Sequence, residues 1–136
     1  MKAKWLYRIA AAFFLLFAVG HTYGFLSLRA PSAEARAVFD AMNNVHFQLD
    51  GASFSYGAFY RGFGLSCTVS MLFSAFLAWH LGGLAEKLPQ AIGALGWVFC
   101  AVQVAGLVLS LIYFSLAPAA FSAIVVICLG WAAWLV

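Results

Sequence analysis

LPQAIGALGWVFCAVQVAGLVLSLIYFSLAPAAFSAIVVICLGWAAWLV, the stretch Leu88–Val136, contains no Asp, Glu, Lys or Arg. A helix needs ~20 consecutive, largely apolar residues to cross the ~30 Å hydrocarbon layer of a bilayer, and this stretch is long enough for two crossings. Ser115-Leu116-Ala117-Pro118 marks the turn between them, because proline fits the first turn of a helix and disrupts its interior. Working outward, Gly62–Ala85 lies uncharged between Arg61 and Glu86, and Ile9–Leu28 lies uncharged between Arg8 and Arg29. The sequence therefore predicts four spans.

Composition agrees. Of 136 residues, 66% are hydrophobic and 8% charged, and the mean hydropathy is +1.01. A soluble domain carries ~25% charged residues to cover its surface. Six of the charged residues fall between Arg29 and Arg61, so that insert is where the chain meets water. The fold class read from this is an all-α membrane protein, a four-transmembrane-helix bundle in a single membrane domain over 1–136. Its helices are expected at approximately 5–28, 57–85, 89–114 and 118–136. An amphipathic extracytoplasmic helix is expected at approximately 32–50, between the first two spans.

The start of the chain imitates a signal peptide, with Lys2, Lys4 and Arg8, then Ile9–Ala18, then the small residues Ala18-Val19-Gly20. The apolar run continues through Tyr23, Phe25, Leu26 and Leu28, beyond a usual signal core, which favours an uncleaved first helix. Lys2, Lys4 and Arg8 then read as cytoplasmic anchors, with both termini inside. No basic patch with interleaved aromatics follows, which argues against a nucleic-acid partner. Trp5, Tyr7, Tyr23, Tyr56, Tyr60, Trp79, Trp131 and Trp134 fall near span ends, where amphipathic rings anchor at the interface.

Packing signals come next. Gly62, Ser66, Ser70, Ser74 and Ala78 recur every four residues on the second span, and Gly20 and Gly24 form a shorter ridge on the first. Small ridges permit close backbone approach, so the first two helices are expected to cross there, with any surplus ridge serving a homo-oligomer or a partner membrane protein. On the third span Gly96, Cys100, Gln103, Gly106 or Leu107, and Ser110 share a face. Gln103, near mid-span, calls for an interhelical hydrogen bond. Cys67, Cys100 and Cys128 form no Cys-x-x-Cys pair and read as small packing residues.

In the insert, Ser32 is an N-cap after Pro31, with Glu34 in the first turn. Val38, Met42, Val45 and Leu49 recur at helical spacing, with Glu34, Arg36, Asp40 and Asn43 off that stripe. Asp50-Gly51 ends the helix in a turn, and Ser53–Gly57 leads into the next span.

Candidate site residues gather at the outer end. His21 and Tyr23 close the first span, His46 and Asp50 stand four apart, and Tyr56, Tyr60 and Arg61 open the second. With Gln103 these form the expected ligand-binding set, since an ionisable residue at membrane depth is a functional hypothesis by default. A plain structural cap is the simpler account, with His21 bonded to the loop and Arg61 paired with Asp50 or snorkelling to water. His21, His46 and Asp50 are acceptable metal-ligand types, but no compact motif fixes their geometry. His21 and His80 lie at opposite ends of their spans, too far apart to share a haem iron, and His46 could partner His21 only if the insert folded into the bundle. Gly-x-Ser-x-Gly, His-Glu-x-x-His and phosphate-loop motifs are absent from the sequence, and the cofactor stays unassigned. The reading is a membrane protein that binds a small lipophilic molecule or a partner membrane protein at its capped outer end. The alternative is an enzyme or a redox or metal-binding subunit centred on His21, His46, Asp50 and Arg61.

Gly20-His21-Thr22-Tyr23-Gly24-Phe25, Met42–Gly51 and Tyr56–Gly64 together resemble an uncharacterised group of small bacterial four-helix membrane proteins. The resemblance covers roughly the first half of the chain and implies a bacterial inner-membrane location, with no activity. The architecture is also similar to DoxX-like proteins, with no shared motif to transfer.

Overall fold

The computed structural model describes residues 2–136. In chain order it contains α1 (Ala3–Leu26), α2 (Ala33–Asn44), β1 (His46–Leu49), β2 (Ala52–Ser55), α3 (Tyr56–Lys87), a 3₁₀ turn (Pro89–Ala91), α4 (Gly93–Tyr113) and α5 (Leu116–Trp134). Four helices, α1, α3, α4 and α5, are long and apolar enough to cross a membrane. Only 11% to 33% of their apolar windows is buried within the chain. Most of their side chains face outward, an exterior that water disfavours at this extent and lipid accepts. Contacts divide the chain into two compact units, one running up to Ala18 together with Met71–Val136, the other Val19–Ser70.

In the first unit the four long helices contribute to one core. Leu6, Ala10, Ala11 and Phe14 of α1 meet Ala75, Ala78 and Leu81 of α3, Phe99 and Cys100 of α4, and Val125, Cys128, Leu129 and Ala132 of α5. Lipid tails provide no hydrophobic drive between helices, so cohesion rests on close packing, and the alanines permit it. Gly82 is one such contact: a Cβ there would sit 3.2 Å from the Lys4 carbonyl oxygen and 3.3 Å from Arg8 Cγ. Gly96 is another, 3.3 Å from Ala133 Cβ by the same construction. The start of α1 lies beside the end of α3, where Lys4 Nζ pairs with Glu86 at 2.6 Å and the Arg8 guanidinium stacks over Trp79 at 4.2 Å.

Three sequence expectations change here. Tyr7 is fully buried in the core instead of anchoring at an interface. Cys100 and Cys128 pack inside as expected, but Cys67 in the second unit is exposed. Gln103 is half-buried on α4 and its side-chain amide makes no hydrogen bond among the described residues, so the expected interhelical bond is not formed.

The second unit holds the insert. Ser32 caps α2, its Oγ accepting from the Ala35 N–H at 3.2 Å. The Glu34 carboxyl, in the first turn, is held below the usual range by its own backbone N–H and by the Ser32 hydroxyl. The helix stops at Asn44, with the Val45 N–H bonded to the Ala41 carbonyl at 2.8 Å. A helix through residue 50 was expected, and the structure corrects it: β1 and β2 form an antiparallel hairpin pairing Phe47 with Phe54 and Leu49 with Ala52. The cause is local. Asp50 and Gly51 both take positive φ, 51° and 80°, the two-residue loop whose twist matches paired strands. His46 and Asp50 therefore share no helix face.

The crossing of α1 and α3 in this unit also differs from expectation. Positions Gly20, Gly24 and Gly62 face open space. Ser66 and Ser70 donate to carbonyls of their own helix, at 2.8 and 2.9 Å. Contact runs instead through Gly64, whose missing Cβ leaves room for the Phe25 ring. Beside it His21 Nε2–H donates to the Gly64 carbonyl at 3.1 Å, and the Thr22 and Thr68 hydroxyls bond at 2.9 Å. A ridge repeating every four residues predicts that a helix can be approached closely; the bulky, hydrogen-bonding partners on α1 decide where.

Candidate functional site

Within the second unit, the end of α1, the segment after it, one face of α2 and the first turns of α3 enclose a half-open cavity of about 600 Å³. Phe25 and Leu26 come from α1, and Leu28, Arg29 and Ala30 from the connecting segment. From α2 come Arg36, Phe39, Asp40, Met42 and Asn43, spaced so that they share one helix face. Gly57, Tyr60 and Arg61, three and four apart, complete it from α3.

Helix starts and ends position these groups. Ser55 caps α3, its Oγ accepting from the Ala58 N–H at 3.1 Å, which sets the direction in which Tyr60 and Arg61 leave the helix. Asn43 ties α2 to α3. Its amide nitrogen donates to the Phe39 carbonyl at 2.9 Å, and its oxygen accepts from Arg61 Nη1 at 3.0 Å. Gly57 is buried directly against this side chain. A Cβ at Gly57 would collide with Asn43 Oδ1 and come within 3.1 Å of its Cγ and 3.3 Å of the Met42 carbonyl oxygen. Phe25, seated on Gly64, packs against Tyr60 at 5.3 Å between ring centroids and against His21 at 5.7 Å.

Electrostatically the cavity is basic. Three arginines, Arg29, Arg36 and Arg61, line it together with one acidic residue, Asp40. Lys4–Glu86 is the sole ion pair among the described residues, so no arginine of the cavity is neutralised within bonding distance. Arg61 is bonded to a neutral amide, and the guanidinium groups of Arg29 and Arg36 make no hydrogen bond among the described residues. Guanidinium groups bind carboxylate or phosphate in a fork, while the rings of Phe25, Phe39 and Tyr60 present apolar surface beside them.

Of the residues singled out from sequence, Tyr60 and Arg61 line this cavity. His21 touches its frame through Phe25 and Gly64. Tyr23 is exposed. His46 bonds the Asn44 carbonyl at 2.9 Å through Nδ1–H, Asp50 occupies the hairpin turn, and Tyr56 packs on Phe47 at 4.9 Å. Gln103 belongs to α4 in the first unit. The structural-cap account is altered in detail: His21 bonds α3 and not the loop, and Arg61 bonds Asn43 and not Asp50. Among the described residues no three His, Cys, Asp or Glu side chains gather as a metal ion would require.

Sequence reasoning missed Arg29, Arg36, Phe39, Asp40 and Asn43 as a site. It set Arg36, Asp40 and Asn43 off the apolar stripe of α2 without giving them a role, whereas they line the cavity and Val38 and Val45 are exposed. The available signal was Arg36, Asp40 and Asn43 at helical spacing with Phe39 among them. Comparison with protein-family models, with curated proteins and with solved structures finds no match to this chain.

Proposed function

We propose that this is a multi-pass protein of the bacterial inner membrane that binds a small lipophilic ligand in the cavity framed by α1, α2 and α3. The observation that carries this reading is the cavity itself, about 600 Å³ and walled by Phe25, Leu26, Leu28, Phe39 and Met42. Such a volume and lining suit a small molecule.

The lengths of the helices support a position at the membrane boundary. The 32 residues of α3 rise about 48 Å, roughly 18 Å more than the hydrocarbon layer. Its first turns, with Tyr60 and Arg61, then extend into the interfacial layer while the rest crosses. The exposed Val38 and Val45 of α2 offer an apolar stripe to that same layer, as amphipathic helices do. Lys2, Lys4, Arg8 and Lys87 hold the opposite ends of α1 and α3 at the cytoplasmic face by the positive-inside rule. That puts both termini inside and the cavity on the extracytoplasmic side.

The test is native mass spectrometry of protein purified in mild detergent, followed by titration with decanol. A retained or titratable small molecule is expected, lost in Phe39→Ala and kept in Lys87→Gln. Wild-type protein that retains nothing and takes up no decanol refutes the reading.

A further inference from the structure

We propose, resting on that reading of the cavity, that its ligand is an anionic amphiphile whose phosphate or carboxylate head lies among Arg29, Arg36 and Arg61. Three separate segments each bring one arginine to the lining of the same cavity, with Asp40 its single acidic residue. Like charges repel when gathered; Asp40 offsets one of the three, and among the described residues no carboxylate lies within ion-pair distance of any of them. A bound anion offsets the remainder.

The arrangement is held as well as charged. Arg61 is fixed by the Asn43 amide oxygen at 3.0 Å, and Asn43 is itself fixed by the Phe39 carbonyl. One Nη of Arg61 is thus committed and the rest of its fork is left for a ligand. Arg29 and Arg36 are exposed, and their guanidinium groups make no hydrogen bond among the described residues. Phe25, Phe39 and Met42 stand next to this basic wall, so an acidic head and the first part of an apolar chain bind side by side. The half-open side lets a longer chain leave toward lipid. A phosphocholine head brings a quaternary ammonium into the same positive field and binds more weakly.

The head group could belong to a membrane phospholipid or to a free single-chain amphiphile, and the experiment separates these. Full-length protein in phosphatidylcholine nanodiscs is titrated with decyl phosphate, decanol and decylphosphocholine. Decyl phosphate is expected to bind about tenfold more tightly than the other two, as charge-assisted hydrogen bonds to a fork warrant. Its advantage should shrink as salt shortens the Debye length from ~10 Å toward ~3 Å. Arg36→Gln and Arg61→Gln should each weaken decyl phosphate about tenfold and leave decanol unchanged, while Lys87→Gln alters neither.

In parallel, protein from nanodiscs containing phosphatidic acid is moved to detergent and weighed intact. Retained phosphatidic acid assigns a membrane lipid; decyl phosphate bound without retained phosphatidic acid assigns a free amphiphile. Both support the proposal. Decanol binding as tightly as decyl phosphate to the wild type overturns it and leaves the lipophilic cavity standing. Binding of none of the probes overturns both. The wild-type comparison of head groups needs no variant, so a variant that fails to fold does not blur the result.

Discussion

Gly57→Ala is the most incisive perturbation of the cavity, because its effect has a single cause and a sign that can be reversed. The φ of Gly57 lies outside the left-handed region, so alanine is acceptable to the backbone. In a helix the exchange alone would stabilise by about 0.5–1 kcal/mol. The added methyl, however, lands on Asn43 Oδ1, within 3.1 Å of Cγ and 3.3 Å of the Met42 carbonyl oxygen. Asn43 is short and tied at both ends, to Phe39 and to Arg61, and cannot give way without breaking those bonds. Overpacking costs about 1–3 kcal/mol. The two hydrogen bonds, discounted for their exposure, add about 1 kcal/mol. Gly57→Ala should therefore destabilise by about 2 kcal/mol net.

The assay is equilibrium unfolding in mixed micelles, run as a double-mutant cycle with Asn43→Ala. Removing Asn43 removes the collision, so in that background Gly57→Ala should be neutral or slightly stabilising. A stabilising effect in the wild type, or an equal loss in both backgrounds, would refute the account of how α2 and α3 are joined.

Three further outcomes follow from the same geometry. Gly64→Ala should lower stability by displacing the Phe25 ring, whereas Gly20→Ala, Gly24→Ala and Gly62→Ala, which face open space, should be neutral or gain up to about 1 kcal/mol of helix propensity; micelle unfolding of dilute protein reads all four. Gly51→Val should open the hairpin, because φ is +80° there and a branched residue in that region costs about 1–2 kcal/mol; faster amide exchange at Phe47 and Phe54 is the readout. The pH response of α2 has a fixed sign: Glu34 is shifted down in the folded chain, so its stabilisation is present above the ordinary glutamate range and lost as pH falls through the lowered folded value. Amide protection in the first turn of α2 should decline on that acidification, and Ser32→Ala should remove the smaller, hydroxyl part of the response and leave the part due to the backbone N–H; an unchanged acid profile would show that the Ser32 hydroxyl does not contribute.

What the sequence determined by itself is the set of long apolar helices and the turns between them. The reason is that a span is a one-dimensional quantity: bilayer thickness sets a length, and the uncharged run Leu88–Val136 or Ile9–Leu28 meets it without reference to any other part of the chain. The cap at Ser32 was legible for the same reason, since an N-cap is satisfied within four residues. His46–Leu49 was read as helix, and the structure makes it a strand. Met42, Val45 and Leu49 recur at helical spacing, but the positive φ of Asp50 and Gly51 turns the chain back and pairs this segment across the turn.

The cavity was decided only in three dimensions. Arg61 was legible in sequence as a candidate and Arg29 and Arg36 were not, and the three line one cavity where Gly57 lets α3 start against Asn43 at the end of α2. Likewise, the meeting of α1 and α3 depends on which partner fills which gap: Gly62 stays open and Gly64 receives Phe25. Periodicity reveals the face a helix can offer, but the choice of partner is made by shape and hydrogen bonding between segments distant in the chain.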